Sequence, residues 1–126
     1  AHATPASFYA KVPSRYQYED IALQLSEHDV DLFVGGGKDF FLEREDKRNL
    51  IDEMSQYAFV NNLKEFKKSS ADKIGFLTYG KEPPKKMEGR VPALEELVEI
   101  SLQKMKAKET PFFMMIEGSQ IDWGGA

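Results

Sequence analysis

Apolar positions along the chain fall in short runs separated by polar stretches, and the spacing within the runs switches between two periods. Residues 30–34, 58–60, 73–78 and 112–116 are short, apolar and bounded by turn-forming residues, the pattern of buried strands. Between them the apolar positions recur at helical spacing. Ile21, Ala22 and Leu25 predict a helix over 19–27, and Leu50, Ile51 and Met54 predict one over 49–57. Asn61 or Asn62 caps a brief helix that runs through Phe66. The longest helical pattern opens at Pro92 and runs to Lys106, with Leu94, Leu97, Val98, Ser101, Leu102 and Met105 on one face. Glu95, Glu96 and Glu99 sit near its start and Lys104, Lys106 and Lys108 near its end, an order that suits the helix dipole.

At the start of the chain, Thr4 reads as an N-cap and Pro5 as the first helical position. That helix is expected to carry Phe8, Tyr9 and Val12 and to break at Pro13. Residues 38–48 predict a short helix or loop around Phe40, Phe41 and Leu42, and residues 79–91, rich in Gly, Pro and basic residues, predict a loop. Strands that alternate with helices imply an α/β fold in three layers, a mainly parallel sheet flanked by helices, with right-handed crossovers. No repeat or composition break divides the chain, so residues 1–126 are expected to form a single α/β domain.

Composition changes this picture little. With 41% hydrophobic and 30% charged residues, the chain is too apolar for a disordered one. A net charge of −4 argues against nucleic acid as a partner. The apolar runs are too short to span a bilayer, so no membrane partner is expected. No basic stretch followed by an apolar one opens the chain, so no signal peptide is expected in this segment. The chain has no cysteine, which removes thiolate metal sites and cysteine nucleophiles.

Candidate chemistry concentrates at the two ends. The run 112–116 leads into Glu117-Gly118, with Asp122 close behind. In a parallel sheet, ligands gather where strands give way to loops. Two carboxylates there suit a hard cation, or Zn²⁺ if a histidine joins them. Taken alone, Glu117 is equally a solvated carboxylate at a strand end, and Thr4 only a helix cap. Gly35-Gly36-Gly37 follows a strand, but no phosphate-loop pattern surrounds it, and a tight turn is the better reading. Lys81, Lys85, Lys86 and Arg90 form a basic run without interleaved aromatics, which reads as solvated surface. His28, between a helix and a strand, is explained by a contact with the helix C-terminus.

Read together, three segments carry a resemblance. His2-Ala3-Thr4-Pro5-Ala6 through Pro13-Ser14-Arg15, then Leu32-Phe33-Val34-Gly35-Gly36-Gly37, then residues 112–125 resemble alkaline phosphatase in order and spacing. The resemblance spans the whole chain, which corresponds to a central segment of the full enzyme. It implies a metal-dependent hydrolase of phosphate monoesters that works through a phosphoseryl intermediate, with two Zn²⁺ and one Mg²⁺. Thr4 matches the hydroxyl ligand of Mg²⁺, and Glu117 its carboxylate ligand. His2 matches a position that tunes the Mg²⁺ site through water. Arg15 matches the arginine that clamps the substrate phosphate, and Asp122 a carboxylate ligand of one Zn²⁺. Trp123 falls at a position that varies in the family.

The family pattern is incomplete in this segment. A zinc-binding histidine is expected where Ala126 stands, and the nucleophilic serine, in an Asp-Ser-Ala context, is expected upstream. The isolated chain is therefore expected to be inactive. The resemblance further implies a periplasmic or extracellular parent and is compatible with a homodimer. Two other readings remain open: a related metal-dependent phosphodiesterase or sulfatase, and a non-catalytic α/β fragment.

Overall fold

Alternation within the strands sets the layers. The computed structural model of the protein describes residues 3–121. Its sheet has three strands, β1 (Leu32–Gly36), β2 (Ala58–Phe59) and β3 (Ile74–Tyr79), in the order β1-β3-β2. Both pairings are parallel, as the alternation of elements predicts. Successive side chains of a strand point to opposite faces. Leu77 of β3, with Phe33 and Phe59 beside it, joins a cluster with Ala22, Leu25, Phe41, Leu50, Met54 and Tyr57. Ile74 and Phe76 join the opposite cluster with Val60, Phe66, Leu97 and Ile100, and Leu32 and Val34 pack against it. Helices α2 (Tyr18–Glu27), α3 (Asp39–Leu42) and α4 (Leu50–Glu53) cover the first face. Helices α5 (Leu63–Lys68) and α6 (Leu94–Ala107) cover the second. The result is the expected three-layer α/β fold.

Local chemistry explains several boundaries. Asn49 and Asn62 each accept a hydrogen bond from the backbone three residues on, at Asp52 and Glu65, and so start α4 and α5. His28 closes α2, its Nδ1 2.7 Å from the Gln24 carbonyl, as its position in the sequence suggests. Strand β1 runs through Gly35 and Gly36, which the sequence pattern assigns to the turn. The chain turns instead at Gly37, whose φ of 99° favours glycine. Gly75 has a different reason. It pairs with Phe33 on one side and Phe59 on the other. A Cβ there would lie 2.7 Å from both rings. Its absence lets Phe33 and Phe59 meet edge to face across the sheet, with centroids 5.9 Å apart.

Three expectations need correction. The first helix, α1 (Ala3–Ala6), includes Thr4 within it, so Thr4 is not its N-cap, and it ends well before Pro13. Helix α4 is one turn long, against the expected 49–57. Residues 111–118 carry no strand, although 112–116 has the apolar pattern of one. A strand needs a neighbour to take its backbone N–H and C=O groups. Among the described residues β3 already has β1 and β2 on its two edges, and no strand pairs with 112–116. The run is consequently half-exposed to exposed along its length.

Candidate active site

The N-terminal segment packs on α2, where the Lys11 N–H donates to Gln24 Oε1 at 2.8 Å and Gln24 Nε2 donates to the Lys11 carbonyl at 3.2 Å. Where they meet, Ala3, Ala6, Ser7, Ala10, Val12, Arg15 and Ile21 line a depression of about 160 Å³. Short side chains on α1 leave this space open, and Arg15, exposed, lies at it. A depression of this size is well below the roughly 300 Å³ lower bound for drug-sized ligands, so it suits a small group and not a whole organic molecule. Thr4 is exposed on α1, next to Ala3 of the lining.

The C-terminal segment reaches the same region. Phe113 packs on Phe8, with ring centroids 5.4 Å apart. This contact joins the segment that carries Thr4 to the one that carries Glu117. Glu117 is half-buried. Further on, Gln120 donates from Nε2 to the Pro83 carbonyl at 3.2 Å, which fixes the end of the segment to the loop after β3. That loop leaves the C-terminal ends of the strands, the side on which parallel sheets collect ligands.

The structure thus joins the segment that carries Thr4 and Arg15 to the one that carries Glu117 through the Phe8–Phe113 contact. His2 and Asp122, and with them Trp123 and Ala126, lie outside the described residues. Among the described residues, no three histidine, aspartate or glutamate side chains converge as a metal-ligand group. The candidate donors that are described, the exposed Thr4 hydroxyl and the half-buried Glu117 carboxylate, are both oxygen, a chemistry that fits a hard cation such as Mg²⁺.

The serines near the depression are engaged elsewhere. Ser7 Oγ donates to the Thr4 carbonyl at 2.7 Å, and Ser14 Oγ accepts from the Tyr16 N–H at 3.3 Å. Among the described residues, neither hydrogen-bonds a side chain that could act as its base. The basic run of residues 81–90 is largely at the surface, and Lys86 pairs with Glu95. Sequence reasoning missed Gln120. Its only signal was a position between Glu117 and Asp122, and its partner, Pro83, is remote in sequence.

Comparison with known proteins bears on this region as a whole. The family model described as alkaline phosphatase matches residues 1–126. Alkaline phosphatase 3 of Bacillus subtilis (strain 168) is 35% identical over 134 residues, covering 98% of this chain and 29% of that protein. A solved alkaline phosphatase from the Antarctic bacterium TAB5 superposes with a TM-score of 0.89 at 38% identity, over 98% of this chain and 38% of that one. A histidine-to-aspartate variant of the TAB5 enzyme, described with Mg bound in its M3 site, superposes with a TM-score of 0.85 at 35% identity, over 98% of this chain and 37% of that one. The chain therefore spans well under half the length of these relatives.

Proposed function

This chain belongs to the alkaline phosphatase family, and from that premise we propose that it is a segment of a metal-dependent enzyme that hydrolyses phosphate monoesters. The observation that supports this reading best is the contact between two segments remote in sequence. Ala3, beside Thr4, and Arg15 line one depression, and Phe8 holds the segment that ends in Glu117.

In this reading Arg15 binds the substrate phosphate. Its guanidinium fork matches two phosphate oxygens and stabilises charge that builds up during transfer. Thr4 and Glu117 hold Mg²⁺ through oxygen, His2 adjusts that site through water, and Asp122 contributes to one of two Zn²⁺ sites. When bound, such ions polarise phosphoryl oxygens and lower the pKa of bound water. The TAB5 variants described with Mg bound support Mg²⁺ as one of the ions. The phosphoseryl route requires a serine other than Ser7 and Ser14, both of which are held in local backbone contacts. That serine and the remaining Zn²⁺ ligands belong to the rest of a longer protein, in which residues 1–126 form one α/β unit. The parent is a periplasmic or extracellular protein, with a homodimer as its expected assembly.

The test is to assay the full-length protein with a phosphomonoester, a phosphodiester and a sulfate ester in the presence of Zn²⁺ and Mg²⁺. The monoester should be preferred, and Arg15→Ala should lower kcat/KM by about 10²-fold or more. Preference for the diester or the sulfate ester would replace this reading with that of a related phosphodiesterase or sulfatase. The 126-residue chain alone should show no turnover. Hydrolysis by that chain that disappears in Arg15→Ala would contradict the assignment of the nucleophile to another segment.

A further inference from the structure

Gln120 lies between Glu117 and Asp122 in the sequence, yet its side chain is anchored elsewhere. Its Nε2 donates to the Pro83 carbonyl. A proline carbonyl can only accept, so the amide nitrogen must face Pro83 and the oxygen must face away. That oxygen, Oε1, is buried and accepts no hydrogen bond from the described residues. The turn that holds Gln120 leaves little room at Gly118. A Cβ on Gly118 would lie 3.1 Å from the Ile121 side chain and 3.8 Å from that of Leu94, at the start of α6.

The loop that Gln120 grips is itself held at both ends. At its start, the Gly37 N–H donates to the Lys81 carbonyl at 2.8 Å, and a Cβ on Gly36 would lie only 2.1 Å from that same oxygen. At its end, the Tyr79 hydroxyl donates to the Val91 carbonyl at 2.7 Å and accepts from the Val91 N–H at 3.1 Å. Between these clamps, Met87 is fully exposed. The Gln120 amide is thus a direct tie between the loop at Pro83 and the turn that follows Glu117.

We infer that Gln120 is a positioning residue that couples Mg²⁺ binding at Glu117 to the order of loop 80–91. The inference rests on the reading of Glu117 as a Mg²⁺ ligand. Coupling between two sites is reciprocal. Metal that fixes the turn also fixes Pro83 and slows opening of the loop, and loss of the Pro83 anchor loosens the turn and weakens the metal.

The experiment uses full-length protein stripped of metal and titrated with Mg²⁺ by calorimetry, with amide hydrogen exchange of residues 80–91 measured before and after. Gln120→Met keeps the length of the side chain and removes the donor. Its Mg²⁺ affinity should fall about tenfold, the lower end of what outer-shell partners contribute, and exchange in the loop should no longer slow when Mg²⁺ is added. Gln120→Lys retains a donor for Pro83 and should keep the metal-dependent protection of the loop. If Gln120→Met does not fold, the lysine variant decides the matter by that protection alone. Parental affinity in Gln120→Met, loop exchange that ignores Mg²⁺ in the parent, or a lysine variant whose loop exchanges without regard to metal would each overturn the coupling. Glu117→Gln separates this from the underlying site. If it too binds Mg²⁺ with parental affinity, the metal-ligand reading itself fails and the coupling falls with it.

Discussion

Two apolar runs of similar composition meet opposite fates in this molecule. Residues 74–77, Ile-Gly-Phe-Leu, are buried throughout, as the central strand of the sheet. Residues 112–116, Phe-Phe-Met-Met-Ile, carry no strand and leave Phe113 at 73% relative exposure. The first run has a strand on each side and a helical layer on each face. The second touches its surroundings through contacts such as that between Phe113 and Phe8. Hydrophobicity marks a run as fit for burial, but neighbours that supply backbone partners decide whether it becomes a strand. The relatives of this chain are much longer than it is, and residues 111–118, which carry no helix or strand, include the metal-ligand candidate Glu117.

The contrast is open to direct attack by mutation. Phe66 is fully buried against Phe76, with ring centroids 5.2 Å apart. Phe66→Ala should destabilise the protein by about 3–5 kcal/mol in denaturant unfolding. Phe113→Ala in the 126-residue chain should stay within about 0.5 kcal/mol, as expected of a surface position. Equal costs at the two positions would erase the contrast. If Phe113→Ala is instead costly only in the full-length protein, the partner of 112–116 lies outside this chain.

Gly75→Ala probes the built region more finely. The new methyl would press on the rings of both Phe33 and Phe59, and overpacking of this kind costs about 1–3 kcal/mol. A neutral result would mean that the two rings yield without loss, and that their contact across the sheet contributes little.

The smallest effect concerns pH. Arg44, buried, donates to the Glu19 and Phe40 carbonyls and forks onto Asp46. Its guanidinium, followed by the Arg48 N–H, holds the Asp46 carboxyl down at about 2, from an ordinary 3.8. A carboxyl whose pKa is lower in the folded state contributes stability that is fully present above its unfolded value. That contribution disappears as pH falls from about 4 toward 2. The unfolding midpoint should therefore drop over this window in the parent and drop less in Asp46→Asn. Identical acid profiles would show that the pair, open to solvent at Asp46, does not contribute.

What was legible in the sequence was mostly local. The α/β alternation, the cap at Asn62, the contact of His28 with the end of α2 and the position of the longest helix each depend on residues within a turn or two of one another. Side-chain type and spacing are enough to specify them. The segments that carry Thr4, Arg15 and Glu117 were legible through their resemblance to a family, not through their geometry. The tertiary structure decided the rest: the need for glycine at 75, the continuation of β1 to Gly36, the grip of Gln120 on Pro83 and the lack of a strand at 112–116. Each of these depends on which remote segment becomes a neighbour. A strand's apolar pattern is the same whether or not a partner lies beside it, and a glycine's role is visible only once the atoms that would collide with its Cβ are in place.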